Sequence, residues 1–398
     1  MTDERPVRYC LITASYRQGD GANRDGWATY AEMMADSLRA GGVHVTVVVI
    51  HEALDTEASK RDVSPDTVHV QFRWRYQISR RLPGISEGLQ LMRAVRALEG
   101  VDPFDVIEGP NVAGICWALA LRYRRKFLLR VHTSLVSPRG ESAAKRTLRQ
   151  GFKWQLDAFT GRRAARVVTH SAAHAATVSN QYGIDAARIT LVPHAVTDAG
   201  TVAAGGPRRI LAIAGPARRK GVDVLLAAFA RVHARVPDAE LVIVGTSPAE
   251  LTAMLAELPQ ASASLAQCIR ALGPLTDAEL KEQWAAAAIV AVPSRYESFG
   301  LVAVEGMARG KAVVVTNGGA LGEVVGNGGI VVPLGDANAL AEAIARVMEE
   351  PGLRERLGAA GRRRYESHYR PEALTTRMLQ LIEGIRRAEG SAGEHVRW

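Results

Sequence analysis

Cysteine is scarce in this sequence. The three residues present among 398, Cys10, Cys116 and Cys268, lie far apart. That spacing encodes neither a disulfide framework nor a zinc knuckle. Aromatics are few, at 6% of residues. No apolar stretch approaches the roughly 20 residues a membrane-spanning helix needs; Val43–Ile50 is typical of those present. The opening Met1–Arg8 carries charges of both signs, and the apolar run behind it ends by Ala14, so no secretory leader is read there. These absences point to a cytoplasmic chain, at most peripheral to the inner face of a membrane.

Hydrophobic residues make up 47% and charged residues 23%, the balance of an ordinary globular protein. A chain of this length exceeds what one core usually organises, which implies two domains. Fifty Lys and Arg against 41 Asp and Glu give a net charge of +9, which permits phosphate-bearing partners. Short apolar runs alternate with segments of helical period. Tyr9–Ala14, Val43–Ile50, Asp105–Glu108, Phe127–Val131 and Val167–Thr169 read as strands. After residue 205 the alternation restarts with Arg209–Ala214, Leu241–Gly245, Cys268–Leu272, Ile289–Pro293, Ala312–Thr316 and Gly329–Val332. Such alternation predicts an α/β fold of two Rossmann-like doubly wound domains facing a cleft. The small-residue stretch Thr201–Pro207 reads as the linker. The expected organisation is residues 1–200, residues 206–371, a helix over 372–388 returning to the first domain, and a tail from 389 to 398.

Two segments of the second half suggest chemistry. Gly215-Pro216-Ala217-Arg218-Arg219-Lys220-Gly221 follows a strand and opens a helix with apolar Val222, Leu225, Leu226, Phe229 and Val232. Unpaired N–H groups and three cations there would suit a diphosphate; a solvated basic turn is the equal alternative. Pro293-Ser294-Arg295-Tyr296-Glu297-Ser298-Phe299-Gly300-Leu301 leads from a strand into a helix carrying Glu305. Ligands of doubly wound folds bind at this edge. The alternative has Glu297 capping the helix and Glu305 solvated.

Together with Gly310-Lys311-Ala312-Val313, Gly319 to Glu323 and Val332-Pro333 ahead of Asp336, these segments make Arg209–Arg370 resemble the donor domain of the retaining GT-B glycosyltransferases of family 4. The first half resembles the family more loosely, through Gly26 before a helix, Gly41-Gly42-Val43-His44-Val45, Phe104-Asp105-Val106-Ile107 and Arg130-Val131-His132-Thr133. The resemblance implies a sugar donor linked to UDP or GDP. Lys220 with Arg218 or Arg219 would hold its diphosphate, and Phe299, Gly300 and Leu301 would give main-chain contacts. Glu305 would take the ribose, Arg270 and Leu272 would lie along the base, and Glu297 and His132 would flank the transferring sugar. On the acceptor side Gly26, Trp27 and Tyr30 are candidates. The sequence departs from the family pattern at Gly215-Pro216, at Pro193-His194-Ala195-Val196 and at Gly306.

Cleaving a glycosyl–phosphate bond leaves negative charge on the diphosphate, which preorganised cations stabilise. Many transferases use a metal held by an Asp-x-Asp pair; the sequence has none, and a metal-independent reaction is expected. His170 and His174 stand four apart, but lacking an evident third ligand they read as polar residues on a helix surface. Residues 121–166 hold 13 Lys or Arg against Glu141 and Asp157. Lys145, Arg146, Arg149 and Lys153 fall away from the buried face of a helical pattern. That surface fits a solvated face, an anionic membrane surface or a small acidic acceptor. The alternation in Phe72-Arg73-Trp74-Arg75-Tyr76 puts its aromatics on one strand face. Without an apolar insertion, a small-molecule acceptor is expected before a glycolipid. A nucleic-acid partner is disfavoured, since no recognised motif accompanies the charge.

Overall fold

A computed structural model describes residues 5–16, 26–51, 66–72, 84–132, 148–201, 208–258 and 263–394. The chain divides into two units. One runs to Pro193 and takes up again at Pro371; the other holds His194–Arg370.

The first unit is built on a seven-stranded parallel sheet. Its strands are β1 (Arg8–Thr13), β2 (His44–His51), β3 (Thr67–Gln71), β4 (Val106–Pro110), β5 (Phe127–Arg130), β6 (Arg166–Thr169) and β7 (Ile189–Leu191). They lie in the order β3-β2-β1-β4-β5-β6-β7, so the winding reverses between β1 and β4. Register puts Leu11 beside both Val47 and Glu108. The central strands are buried without alternation, because connecting helices cover both faces. β3 and β7 were not read from the sequence. Both are edge strands, only partly covered, and neither has the continuous apolar run of a central strand. Helix Pro371–Glu394 belongs to this unit and runs beyond the expected residue 388. It buries Leu374, Met378, Leu381, Ile382 and Ile385. Thr375 Oγ1 donates to the Ser37 carbonyl at 3.1 Å, which seats the helix on helix Gly26–Ala40.

The second unit has six parallel strands: β8 (Arg209–Ile213), β9 (Glu240–Val244), β10 (Ile269–Ala271), β11 (Ile289–Val292), β12 (Ala312–Thr316) and β13 (Ile330–Val332). Their order is β10-β9-β8-β11-β12-β13, with the reversal between β8 and β11. Helix Val222–Arg235 buries the five apolar positions expected of it. His194–Asp198 belongs to this unit, ahead of the expected linker, because it is fastened there. Tyr365 donates to the Val196 carbonyl at 2.9 Å, and Asp198 takes Arg362 at 2.6 Å and Arg370 at 3.0 Å. Hydrogen bonding from Arg362 holds the Asp198 carboxyl well below the usual carboxylate range. Linker residues 202–207 lie outside the described residues.

Candidate active site

In the second unit, the loops after β8 and β11 flank the sheet's reversal point. Behind β8 a 3-10 turn, Arg218–Lys220, ends at Gly221 with φ +69°. A side chain at Gly221 would be strained, and its Cβ would drive into the Pro293 carbonyl oxygen. The basic loop therefore rests directly on the end of β11. Lys220 Nζ donates to Glu297 Oε1 at 2.7 Å, and Ser294 Oγ donates to the same oxygen at 3.0 Å. Arg219 stands 3.4 Å from Glu297 Oε2 and donates to the Tyr296 carbonyl at 3.1 Å. Of the two candidate arginines it is Arg219 that shares Glu297 with Lys220. Arg218 is used through its carbonyl, which accepts from Arg295; Arg295 in turn forks onto Asp223 with two bonds of 2.7 Å. Arg219 and Lys220 are thus gathered on one carboxylate, although the Arg219 side chain stays 45% exposed.

Glu297 does not cap the following helix. That place is taken by Gly300, at φ +100°, ahead of helix Leu301–Ala308. The Glu297 backbone is pinned from the other side by Gly318-Gly319: Ala320 N–H donates to the Glu297 carbonyl at 2.8 Å, and a Cβ on Gly318 or Gly319 would strike this loop. Phe299 is buried with its ring against His194 and Tyr369. Glu305 is half-buried, and desolvation pushes its carboxyl up against the opposing pull of Arg309. Gly306 lies against Val290 and Val313, where a methyl group would come within 3.1 Å of Val313 Cγ2, so its small size fits the close approach of helix and sheet. A carboxylate, two cations and a helix N-terminus at one strand-to-helix edge form an arrangement able to hold a diphosphate.

The first unit places His132 directly after β5, its backbone N–H donating to Asn111 Oδ1 at 3.0 Å. The Tyr30 ring meets the His132 ring edge-on, 4.6 Å between centroids. Beneath them lies a buried polar cluster centred on Glu108. Arg130 donates to its two oxygens from Nε at 2.9 Å and Nη2 at 3.1 Å, Tyr9 donates at 2.5 Å, and Tyr30 donates as well. Burial, reinforced by the Glu108 charge, raises both phenols far above their ordinary range. For Arg130 burial works the other way, but the Glu108 carboxylate outweighs it and the guanidinium is held charged. The Tyr30 hydroxyl is thus held on Glu108 inside the unit, while its ring packs against His132. Sequence reading passed over Glu108. The available signal was a pair of opposite charges, Glu108 and Arg130, each set inside an apolar strand.

Other expected residues fall as follows. Arg270 is exposed on β10, the edge strand, and Leu272 N–H donates to the Ile243 carbonyl at 2.9 Å. Gly26 and Trp27 begin helix Gly26–Ala40, but their side chains lie outside the described residues, as do 73–76, Lys145, Arg146 and the side chain of Arg149. His170 and His174 require correction. Each is only 1% exposed, and helix Ala172–Tyr182 starts after His170, so they are not a helix-surface pair. Ser171 caps that helix, which turns the His170 ring towards His132, at 5.3 Å, and stacks it on His174 at 6.0 Å.

Family profiles match both halves of the chain: Glycosyltransferase Family 4 over residues 24–199 and Glycosyl transferases group 1 over residues 207–350. An MMP alpha-(1->4)-mannosyltransferase of Mycolicibacterium hassiacum is 31% identical over 311 residues, 73% of this chain and 74% of the relative. A D-inositol 3-phosphate glycosyltransferase of Pseudarthrobacter chlorophenolicus is 26% identical over 88% of each chain. A GDP-mannose-dependent monoacylated alpha-(1-6)-phosphatidylinositol monomannoside mannosyltransferase of Corynebacterium glutamicum is 33% identical over 173 residues, and the match spans only 44% of its length. Among solved structures, sucrose-phosphate synthase from Thermosynechococcus elongatus superimposes with a TM-score of 0.76 at 23% identity, covering 96% of this chain and 100% of that one. Anabaena HepE in complex with UDP and glucose gives a TM-score of 0.70 at 18% identity, covering 95% and 99%. With the profiles matching both halves and a relative above 30% identity aligned over most of its length, the chain belongs to the family 4, group 1 glycosyltransferases of GT-B fold.

Proposed function

We propose that this protein is a retaining, metal-independent glycosyltransferase that moves a sugar from a nucleoside diphosphate sugar to a small polar acceptor. The observation that carries the reading is the convergence of Lys220 and Arg219 on Glu297 at the reversal point of the second sheet. In the free chain the two cations offset one carboxylate. A donor diphosphate would draw them to the leaving group, while Glu297 keeps Lys220 oriented and faces the sugar. As the glycosyl–oxygen bond breaks, the growing negative charge falls on two fixed cations and the N-terminus of helix Leu301–Ala308. The acceptor hydroxyl would attack the face the diphosphate leaves, its proton passing to a phosphate oxygen, so configuration is retained without a separate base. Lys220 and Arg219 would supply the positive charge that a metal supplies in transferases carrying an Asp-x-Asp pair, which this sequence lacks.

The D-inositol 3-phosphate glycosyltransferase aligned over 88% of this chain supports a small phosphorylated polyol as the acceptor class. The relative named for a phosphatidylinositol mannoside favours a second reading, a glycolipid acceptor. No helix among the described residues is long and apolar enough to cross a membrane, so that reading requires a peripheral contact. Calorimetry with UDP and GDP in the presence of chelator is the test of the donor site. Binding of one nucleotide without metal is expected, and strict dependence on a divalent ion overturns the mechanism. Product analysis with inositol phosphate and with phosphatidylinositol as acceptors separates the two readings.

A further inference from the structure

Much of the basic segment noted in the sequence has no part in the site described above. In the first unit six arginines, Arg124, Arg125, Arg162, Arg163, Arg166 and Arg188, line a single cavity of about 480 Å³, and among the described residues no acidic one lines it. Arg188 lies outside the segment in sequence and joins it only in the fold. The cavity sits at the N-terminal ends of β5, β6 and β7, the sheet edge opposite to the one that carries His132.

The cluster is braced from behind. Arg188 donates to the Arg162 carbonyl at 2.7 Å and to the Ala164 carbonyl, and Arg162 donates to the Tyr182 carbonyl at 2.7 Å. Arg163 rests 5.6 Å from the centre of the Phe159 ring. Among the described residues none of the six forms an ion pair with a carboxylate. Nearby acids serve elsewhere: Glu99 pairs with Lys126, and Glu389 lines a neighbouring cavity that shares Arg124 and Arg125. Six like charges held together without counter-ions among the described residues repel one another, and a bound polyanion would relieve that repulsion.

We infer that this cavity is a second anion site, for a soluble oligophosphate, separate from the donor site. Guanidinium forks take phosphate oxygens two at a time, which suits a compact ligand with several phosphate groups. The volume falls within the range of about 300–1,000 Å³ usual for small-molecule sites. Among the described residues the only apolar side chains lining it are alanines, Ala164, Ala165 and Ala388, and these offer no ring for a base to stack on and no wedge to enter a bilayer. Its place on the far edge of the sheet makes the ligand an effector that stiffens the first unit, not a reactant.

The test is calorimetric titration of inorganic triphosphate into the full chain, in chelator, at low and physiological salt. It compares the unaltered protein with Lys220→Ala, Arg163→Gln/Arg166→Gln and Arg124→Gln/Arg125→Gln. These pairs spare Arg162 and Arg188, which brace the backbone. Lys220→Ala is expected to keep a triphosphate site. Each pair should weaken that site at least tenfold while leaving the melting transition of the first unit unchanged, which shows the variants to be folded, and binding of UDP or GDP by the second unit unchanged as well. Loss of all triphosphate binding in Lys220→Ala, or undiminished binding in both pairs, overturns the proposal. Sedimentation with phosphatidylglycerol vesicles gives the remaining arm. Equal vesicle binding by the pairs and the unaltered chain is expected; pairs that lose vesicle binding yet bind triphosphate unchanged would assign the arginines to a membrane and overturn the oligophosphate reading.

Discussion

Asp157 and His174 are buried in the first unit, where desolvation favours the neutral form of each, and their effects on stability oppose each other. Asp157 Oδ1 accepts from the Gly114 N–H at 3.0 Å, while Oδ2 has no partner among the described residues; desolvation pushes its carboxyl up to about 7. Between pH 4 and 7 the folded state then holds a proton that the unfolded chain has released, so this group's contribution to stability falls as pH rises. His174 has no hydrogen-bond partner at either ring nitrogen among the described residues, and burial lowers it to about 4. Its folded form stays neutral where the unfolded chain is protonated, so this contribution is lost as pH falls from about 6.5 towards 4. The two slopes offset each other in the unaltered protein. Asp157→Asn keeps the acceptor for Gly114, and denaturation should show it more stable above pH 7 by up to about 4 kcal/mol, with stability now rising from pH 4 to 6.5. His174→Leu should expose the reverse slope. A flat profile in either variant would refute the assignment. Glu108 presents the contrasting case of a buried charge that is paired. Glu108→Gln should cost about 3–5 kcal/mol, since it leaves Arg130 buried and uncompensated. It should also depress transfer while donor affinity holds, because the donor loops belong to the other unit.

Glycines set the elements of the donor site. Gly221 allows the basic loop to lie on the Pro293 carbonyl, and Gly300 opens the following helix in a conformation that other residues avoid. Gly221→Ala should therefore shift Lys220 and Arg219 away from Glu297. Nucleotide affinity is expected to fall about tenfold or more, while a second-unit melt changes by only about 1–3 kcal/mol. Lys220→Ala, which removes the cation and leaves the loop, should cut turnover about 10²-fold or more. Steady-state kinetics beside calorimetric nucleotide binding distinguishes the two. Central strands and the helices carrying apolar periodicity were legible in the sequence, because a parallel strand covered on both faces must be apolar throughout. β3 and β7 were not: an edge strand carries no such demand, and these two, unlike edge strands β10 and β13, lack an apolar run set off from its surroundings. The His170–His174 pair misled for a related reason: four-residue spacing marks a helix face only if the helix includes both residues, and Ser171 starts it between them.

At the scale of the whole molecule, the chain leaves the first unit at Pro193 and returns to it at Pro371. The returning helix buries five large apolar side chains, each worth about 1.5–3 kcal/mol, against a net stability of about 5–15 kcal/mol for a domain. A chain ending at Arg370 should keep a folded second unit and lose the cooperative melt of the first, as calorimetry would show; two intact transitions would contradict this coupling. The sequence by itself determined the two doubly wound units, the reversal-point loops and the candidate donor residues, because these depend on local apolar patterning and on short motifs. Which arginine joins Lys220 on Glu297, how Glu108 holds Arg130 and Tyr30 beneath His132, and how Arg188 completes a basic cavity with Arg124, Arg125, Arg162, Arg163 and Arg166 were decided only by tertiary structure. Each of these depends on charges far apart in sequence being brought within a few ångströms, which no local pattern records.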